Sequence, residues 1–152
     1  MYLASVLDLF TRKIVDWKLR DRLTTDLVSE ALDAPYEQKS PSPGLIHHSD
    51  RGSQYASKDY RDKLEKYKMV CSMSRKENCY DNACIESFHS ILKKELVYQT
   101  RFKTKDEARQ EIYWYIEFWY NRKRIHNGLN YVSPDRFKSA YCEEKRWVDA
   151  GR

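Results

Sequence analysis

The chain has 152 residues, long enough for one domain with a real core, and charged residues of both signs make up 34% of it. A mean hydropathy of −0.87 and the lack of any apolar run near the roughly 18 residues of a spanning helix argue against a membrane span. No signal peptide follows Met1, so the chain reads as soluble and intracellular.

Residues 2–8 read as a buried strand, residues 9–13 turn the chain, and Ile14–Leu19 alternate as a second strand, making a hairpin. Thr24 or Thr25 can cap a helix from Asp26 to about Asp33, with Leu27, Val28, Ala31 and Leu32 at helical spacing. Pro35 and the run Ser40-Pro41-Ser42-Pro43-Gly44 are expected to end it. Gly44 to His48 is a third strand, Ser57 caps a helix through Tyr60, Leu64 and Tyr67, and Met69–Met73 is a fourth strand. A polar loop at 74–80, expected to be mobile, leads to a helix from about Asn82 to Val97. Thr104 and Glu107 form a capping box for a helix to about Arg122, striped by Ala108, Ile112, Tyr115, Ile116 and Trp119. Ser133-Pro134 starts a short last helix through Phe137 and Tyr141, and the last ten residues read as a loose tail. A hairpin followed by alternating helices and strands indicates an α/β domain with a mixed sheet and a helical C-terminal part.

The four cysteines, Cys71, Cys79, Cys84 and Cys142, form no C-x-x-C pair, so reduced, buried or half-buried thiols are expected rather than zinc. His47 and His48 point to opposite faces of a strand and read as one core and one surface histidine. Net charge +5 and a pI near 8.9 admit a nucleic-acid partner without demanding one. The clusters Arg101, Lys103, Lys105 and Arg122-Lys123-Arg124, interleaved with aromatics, suit phosphate contact and base stacking; a solvated helix face over packed aromatics would look the same.

Two acids stand in distinctive settings. Asp50 lies just past the C-terminal end of the third strand, where open α/β sheets place ligands, and Gly52 and Ser53 after it permit close backbone approach to a phosphate. Glu86 lies on the 82–97 helix, whose buried stripe is Ile85, Phe88, Leu92 and Leu96. At about 100° per residue, Glu86 and Lys93 share one border of that stripe, roughly 10 Å apart along the axis. The wheel alone favours the plainer reading, an exposed Glu such as any amphipathic helix carries. Carboxylates delivered from a strand end and a helix are nonetheless what a two-metal phosphodiester site uses, and they suit magnesium or manganese.

Four segments resemble one family. Residues 3–15 look like the second and third strands of a retroviral-integrase-type core. His47-His48-Ser49-Asp50-Arg51-Gly52-Ser53-Gln54-Tyr55 resembles the segment bearing its second acid. Residues 72–88, through Asn78-Cys79-Tyr80-Asp81-Asn82-Ala83 to Glu86-Ser87-Phe88, resemble the loop and helix bearing its third. Tyr120-Asn121-Arg122, Arg124, His126, Leu129 and Ser133-Pro134 are similar to its C-terminal signature. Together they resemble bacterial insertion-sequence transposases with a DDE integrase core, over about residues 2–138.

The resemblance implies an RNase H-like mixed sheet flanked by helices, with a core at 1–140 and a tail at 141–152. It implies Asp50 and Glu86 as catalytic, metal-holding acids for Mg2+ or Mn2+. It also implies DNA contacts from Arg75, Lys76, Lys93, Lys94, Arg122 and Arg124. The implied activity is DNA cleavage and strand transfer in transposition, acting on element ends and target DNA in the bacterial cytoplasm, near the nucleoid. No residue matches the family's first acid, which sits on a central strand upstream of the hairpin; Asp8 reads instead as a hairpin-turn residue. The expectation is therefore a core lacking its first strand and inactive alone. The alternative is a non-catalytic remnant that binds DNA, forms a homo-oligomer or pairs with intact transposase through open strand edges. Glu77 stands where the loop would be expected to carry glycine.

Overall fold

A computed structural model describes residues 1–75 and 79–150. Lys76 and Glu77, the side chain of Cys79, and residues 151–152 lie outside the described residues. Strands β1 (Tyr2–Leu7) and β2 (Ile14–Arg20) pair with each other. Strands β3 (Ile46–Ser49) and β4 (Val70–Met73) pair in parallel, with Ile46 opposite Val70 and Ser49 opposite Met73. Among the described residues these are two separate two-stranded sheets, with no strand joining them into one. Helices α1 (Thr25–Lys39), α2 (Lys58–Lys66), α3 (Ala83–Leu92), α4 (Lys105–Trp114) and α5 (Pro134–Ala150) complete the architecture. It is the α/β arrangement expected.

The chain divides into two compact units, one of Met1–Val6 with Val15–Ser87 and one of Leu7–Ile14 with Phe88–Arg152. In the first, the spaced apolar residues of α1 (Leu27, Val28, Ala31, Leu32) cluster with Ala4, Tyr60 and Leu64. Burying each large member is worth about 1.5–3 kcal/mol over leaving it exposed. Helix starts follow the capping residues. Thr24 accepts from the Leu27 N–H and Ser57 from the Tyr60 N–H, at 3.3 Å each. Pro35 does not stop α1, which runs on to Lys39. The missing N–H costs one hydrogen bond, while Tyr36 in the final turn stacks on Tyr67 with ring centroids 3.7 Å apart.

In the second unit, α3 and α4 each run into a π-helical turn, at Lys93–Val97 and Tyr115–Tyr120. Wide turns of this kind insert one residue and re-aim the side chains beyond them. Thr104 accepts from the Glu107 N–H at 3.0 Å, and the Glu107 carboxylate reaches back to the Lys103 N–H at 2.6 Å, one residue further than the usual box. Helix α5 continues past Tyr141 to Ala150, so the expected loose tail is helical through that residue. Phe10 at the hairpin tip packs edge-on to Phe137 and Tyr141 of α5, at 5.4 and 4.8 Å.

Candidate functional site

The site is best built outward from the paired ends of β3 and β4. The Ser74 N–H donates to the Ser49 carbonyl at 3.0 Å, extending the ladder one step past Met73. His48 ties the same ends together: its Nδ1 lies 2.9 Å from the Ser72 hydroxyl and its Nε2 3.3 Å from the Ser74 hydroxyl. Arg51 Nε donates to the Ser74 carbonyl at 2.8 Å. These bonds hold the segment on either side of Asp50.

Asp50 itself is exposed, and its Oδ1 accepts from the Gly52 N–H at 2.7 Å. A Cβ on Gly52 would lie 2.8 Å from that oxygen and 3.0 Å from Gln54 Oε1. Glycine is thus required here so that the carboxylate can fold onto the backbone, a nearer reason than phosphate approach. The Gly52 carbonyl then accepts from the Tyr55 and Ala56 N–H groups, at 3.0 and 3.1 Å, starting the turn towards α2.

Glu86 is exposed in the first turn of α3 and belongs to the same compact unit as Asp50. The turn leading into α3 is held by Asp81, whose carboxylate accepts from the Arg75 N–H at 2.8 Å and from its guanidinium at 3.2 and 3.3 Å. Those Arg75 bonds hold the Asp81 carboxyl below its usual range, and the charge of His48 adds to the effect. Arg75 directly follows Ser74, which pairs with Ser49, so the turn that starts the Glu86 helix lies beside the strand ends that lead to Asp50.

Both histidines are half-buried and hydrogen-bonded, rather than one in the core and one on the surface. His47 Nε2 lies 2.9 Å from the Tyr60 hydroxyl, and burial, helped by the charge of His48, lowers its pKa to about 4. Cys71 and Cys142 are exposed and Cys84 half-buried, none of them in a disulfide, so two of the thiols expected inside lie at the surface. Cys142 is carried outward on α5. Asp8 is a turn residue as expected: its carboxylate accepts from the Phe10 N–H at 3.0 Å and the Thr11 hydroxyl at 2.8 Å.

The basic residues singled out from sequence fall into two groups. Lys93 and Lys94 open the π-helical turn after α3 and are exposed, and Arg122 is exposed while lying 3.9 Å from Asp135. Arg75 and Arg124 are held in ion pairs, Arg75 with Asp81 and Arg124 with Glu95 at 2.9 Å. Glu95 also accepts from the Tyr115 hydroxyl at 2.7 Å and Trp119 Nε1 at 3.3 Å. Burial pushes Glu95 up, but the bonds from Arg124, Tyr115 and Trp119 outweigh it and hold the carboxyl below its usual range. Nothing local in the sequence marks Glu95, because its partners lie 20 to 29 residues away. Asn121 was visible only as part of a signature; in the structure its buried amide bonds both backbone groups of Ile14.

Asp50 and Glu86 offer hard oxygen donors of the kind magnesium and manganese prefer. Among the described residues, however, no group of three or more His, Cys, Asp or Glu side chains could hold a metal ion. The donor chemistry fits a divalent ion, while the donor number falls short of a complete site.

The integrase core domain family matches the chain twice, over residues 1–79 and over residues 67–134. The transposase for insertion sequence element IS904 of Lactococcus lactis is 47% identical over 138 residues, covering 91% of this chain and 54% of that protein. An uncharacterized 31 kDa protein of insertion element IS600 from Shigella sonnei is 46% identical, covering 93% and 52%. Transposase InsF for insertion sequence IS3A of Escherichia coli K12 is 38% identical, covering 91% and 48%. The chain spans about half the length of these curated relatives. Among solved structures, the HTLV-2 integrase catalytic core domain in complex with magnesium, in a trimeric form, is similar with a TM-score of 0.60 at 13% identity. That match covers 86% of this chain and 80% of the HTLV-2 chain. A simian T-cell lymphotropic virus intasome in complex with a PP2A regulatory subunit gives 0.60 at 16% identity, over 77% of this chain and 42% of that one. These structural likenesses carry the fold, which is RNase H-like.

Proposed function

This chain belongs to the integrase core domain family, which matches residues 1–79 and again 67–134, and from that premise we propose that Asp50 and Glu86 are two acids of a DNA strand-transfer centre. The observation that carries the reading is their setting. Asp50 follows the laced ends of β3 and β4, and Glu86 leaves, in the same compact unit, from a turn whose Asp81 accepts from the Arg75 N–H, one residue past Ser74. Asp50 and Glu86 would hold a magnesium or manganese ion. A bound divalent ion of this kind activates an attacking hydroxyl or water and stabilises the leaving oxygen of a phosphodiester. Gly52 presets the Asp50 carboxylate, and the exposed Lys93, Lys94 and Arg122 supply contacts to DNA phosphates.

On its own the chain binds DNA without joining strands. This second reading is favoured by the want of a third metal-binding side chain among the described residues and by the two unjoined sheets. Among the described residues each sheet has two strands, and their edges suit an added strand from intact transposase or another copy. Such a strand would also be the place for a further carboxylate. DNA at element ends and targets is the substrate, and the bacterial cytoplasm the place of action; no helix among the described residues is long and apolar enough to cross a membrane.

The test is strand joining of a pre-cut oligonucleotide end in Mn2+ or Mg2+, with calorimetry of Mn2+ binding alongside. The chain alone gives no joined product, and its weak Mn2+ binding is lost in Asp50→Asn and Glu86→Gln. Unchanged Mn2+ affinity in either variant removes that acid from the centre. Joining by the chain alone that survives Asp50→Asn overturns the assignment altogether.

A further inference from the structure

Ser74 is the first residue past β4, only 5% exposed, and each of its polar groups is turned to the chain around Asp50. Its N–H donates to the Ser49 carbonyl at 3.0 Å, and its hydroxyl donates to the same oxygen at 3.2 Å. Its carbonyl accepts from Arg51 Nε at 2.8 Å, and its hydroxyl oxygen lies 3.3 Å from His48 Nε2. Residues 48, 49 and 51 are thus tied to one buried serine, and Asp50 stands between the ties.

A hydroxyl has one proton to donate. Given to the Ser49 carbonyl, it leaves the Ser74 oxygen to accept from His48, so Nε2 carries the ring proton. Nδ1 of a neutral ring is then an acceptor, and the Ser72 hydroxyl 2.9 Å away supplies the donor. One tautomer satisfies every bond, and a network satisfied throughout fixes its members in place. On the far side of Ser74, the Arg75 N–H donates to the Asp81 carboxylate at 2.8 Å, in the turn that leads into α3 and Glu86. Two adjacent residues therefore hold the Asp50 segment and the turn before the Glu86 helix.

We propose that Ser74 is a positioning residue for the two acids. It touches neither metal nor DNA; its bonds to residues 48, 49 and 51 fix the direction in which Asp50 offers its carboxylate. This role rests on the reading of Asp50 and Glu86 as metal-holding acids. Groups that orient a metal ligand from behind typically change metal affinity by roughly 10- to 100-fold when removed. Ser74→Ala takes away the hydroxyl, while the backbone N–H keeps the Ser49 carbonyl bonded. The ladder between the strand ends stays, and the tie to His48 goes.

The experiment is a Mn2+ titration of the full chain, followed by paramagnetic broadening of the Gly52 amide signal, which reads weak binding. Hydrogen exchange of that amide is measured without metal, and circular dichroism melts establish that each variant is folded. Ser74→Ala weakens Mn2+ binding by about tenfold and speeds exchange at Gly52, whose N–H donates to Asp50. His48→Ala does the same, and the two together lose no more than either alone, as members of one network do. Arg51→Ala, at an exposed residue, also weakens binding, although losing a nearby positive charge by itself favours a cation. Thr24→Ala removes a helix cap in the same unit; it lowers the melting temperature and leaves Mn2+ binding unchanged. The role of Ser74 is overturned, with Asp50→Asn still abolishing binding, by a Ser74→Ala affinity within about twofold of wild type. Additive losses, tighter binding by Arg51→Ala, or an equal loss in Thr24→Ala overturn it too. Binding that survives Asp50→Asn overturns the metal-centre reading beneath it, and the role of Ser74 with it.

Discussion

Replacing Asn121 with alanine removes a side chain that stands in for a neighbouring strand. The Ile14 N–H donates to Asn121 Oδ1 and Asn121 Nδ2 donates to the Ile14 carbonyl, both at 3.0 Å, with Asn121 0% and Ile14 1% exposed. Alanine leaves a buried N–H and a buried C=O without partners, and each orphaned group costs about 1–3 kcal/mol. A loss of about 3–5 kcal/mol follows once the small cavity is included. That is a large part of a typical domain stability of roughly 5–15 kcal/mol. Urea unfolding followed by circular dichroism measures the loss directly, and the thermal midpoint falls by roughly 10 °C. Asn121→Asp separates hydrogen bonding from volume. It keeps an acceptor for the N–H but sets an oxygen against the Ile14 carbonyl, so it is destabilised as well. An alanine variant that loses less than about 1 kcal/mol, or an aspartate variant as stable as the wild type, refutes the reasoning.

Three further outcomes follow from the same bonds. His47 is held neutral, with its pKa lowered to about 4, so its contribution is complete above the unfolded value near 6.5 and is lost as pH falls towards 4. The full effect is about 3 kcal/mol; unfolding free energies at pH 7 and pH 4.5 should differ less in His47→Gln than in the wild type, and equal differences would contradict the burial argument. Glu95→Ala breaks the bonds to Tyr115, Trp119 and Arg124 and costs about 2 kcal/mol after allowance for solvent around the partly exposed carboxylate. A double-mutant cycle with Arg124→Ala should show coupling of about 1 kcal/mol, and additive losses would mean the pair does not interact in solution. Gly52→Ala forces the Asp50 carboxylate off its backbone N–H, costing about 1 kcal/mol in stability. Its Mn2+ affinity by calorimetry should drop, and an unchanged value would show that the carboxylate's preset position does not matter.

The parts of the fold that could be read from sequence are those governed by near neighbours. Thr24, Ser57 and Thr104 cap helices because a hydroxyl reaches an N–H three residues on. Phe88 and Leu92 are buried because helical spacing puts them on one side, and the same spacing leaves Glu86 and Lys93 exposed. Pro35 shows the limit: local preference ends the helix there, whereas packing of Tyr36 on Tyr67 carries it to Lys39. The π-helical turns were not visible, since a periodic stripe looks the same on either side of one inserted residue.

At the site, the settings of the two acids were legible in the chain's local pattern. A strand end followed by Gly52, and the first turn of an amphipathic helix, are local features, and with the flanking motifs they were enough to point to the family. Only the tertiary structure decided what the other charged and polar groups do. Arg75 and Arg124 look like Lys93 and Lys94 in a list of basic residues, yet the fold sets a carboxylate beside each of the first two. Asn121 looks like a conventional polar residue at a helix end, yet the fold brings it to Ile14, 107 positions earlier in the chain. Pairings over such distances depend on how the backbone returns, and no periodicity or spacing encodes that.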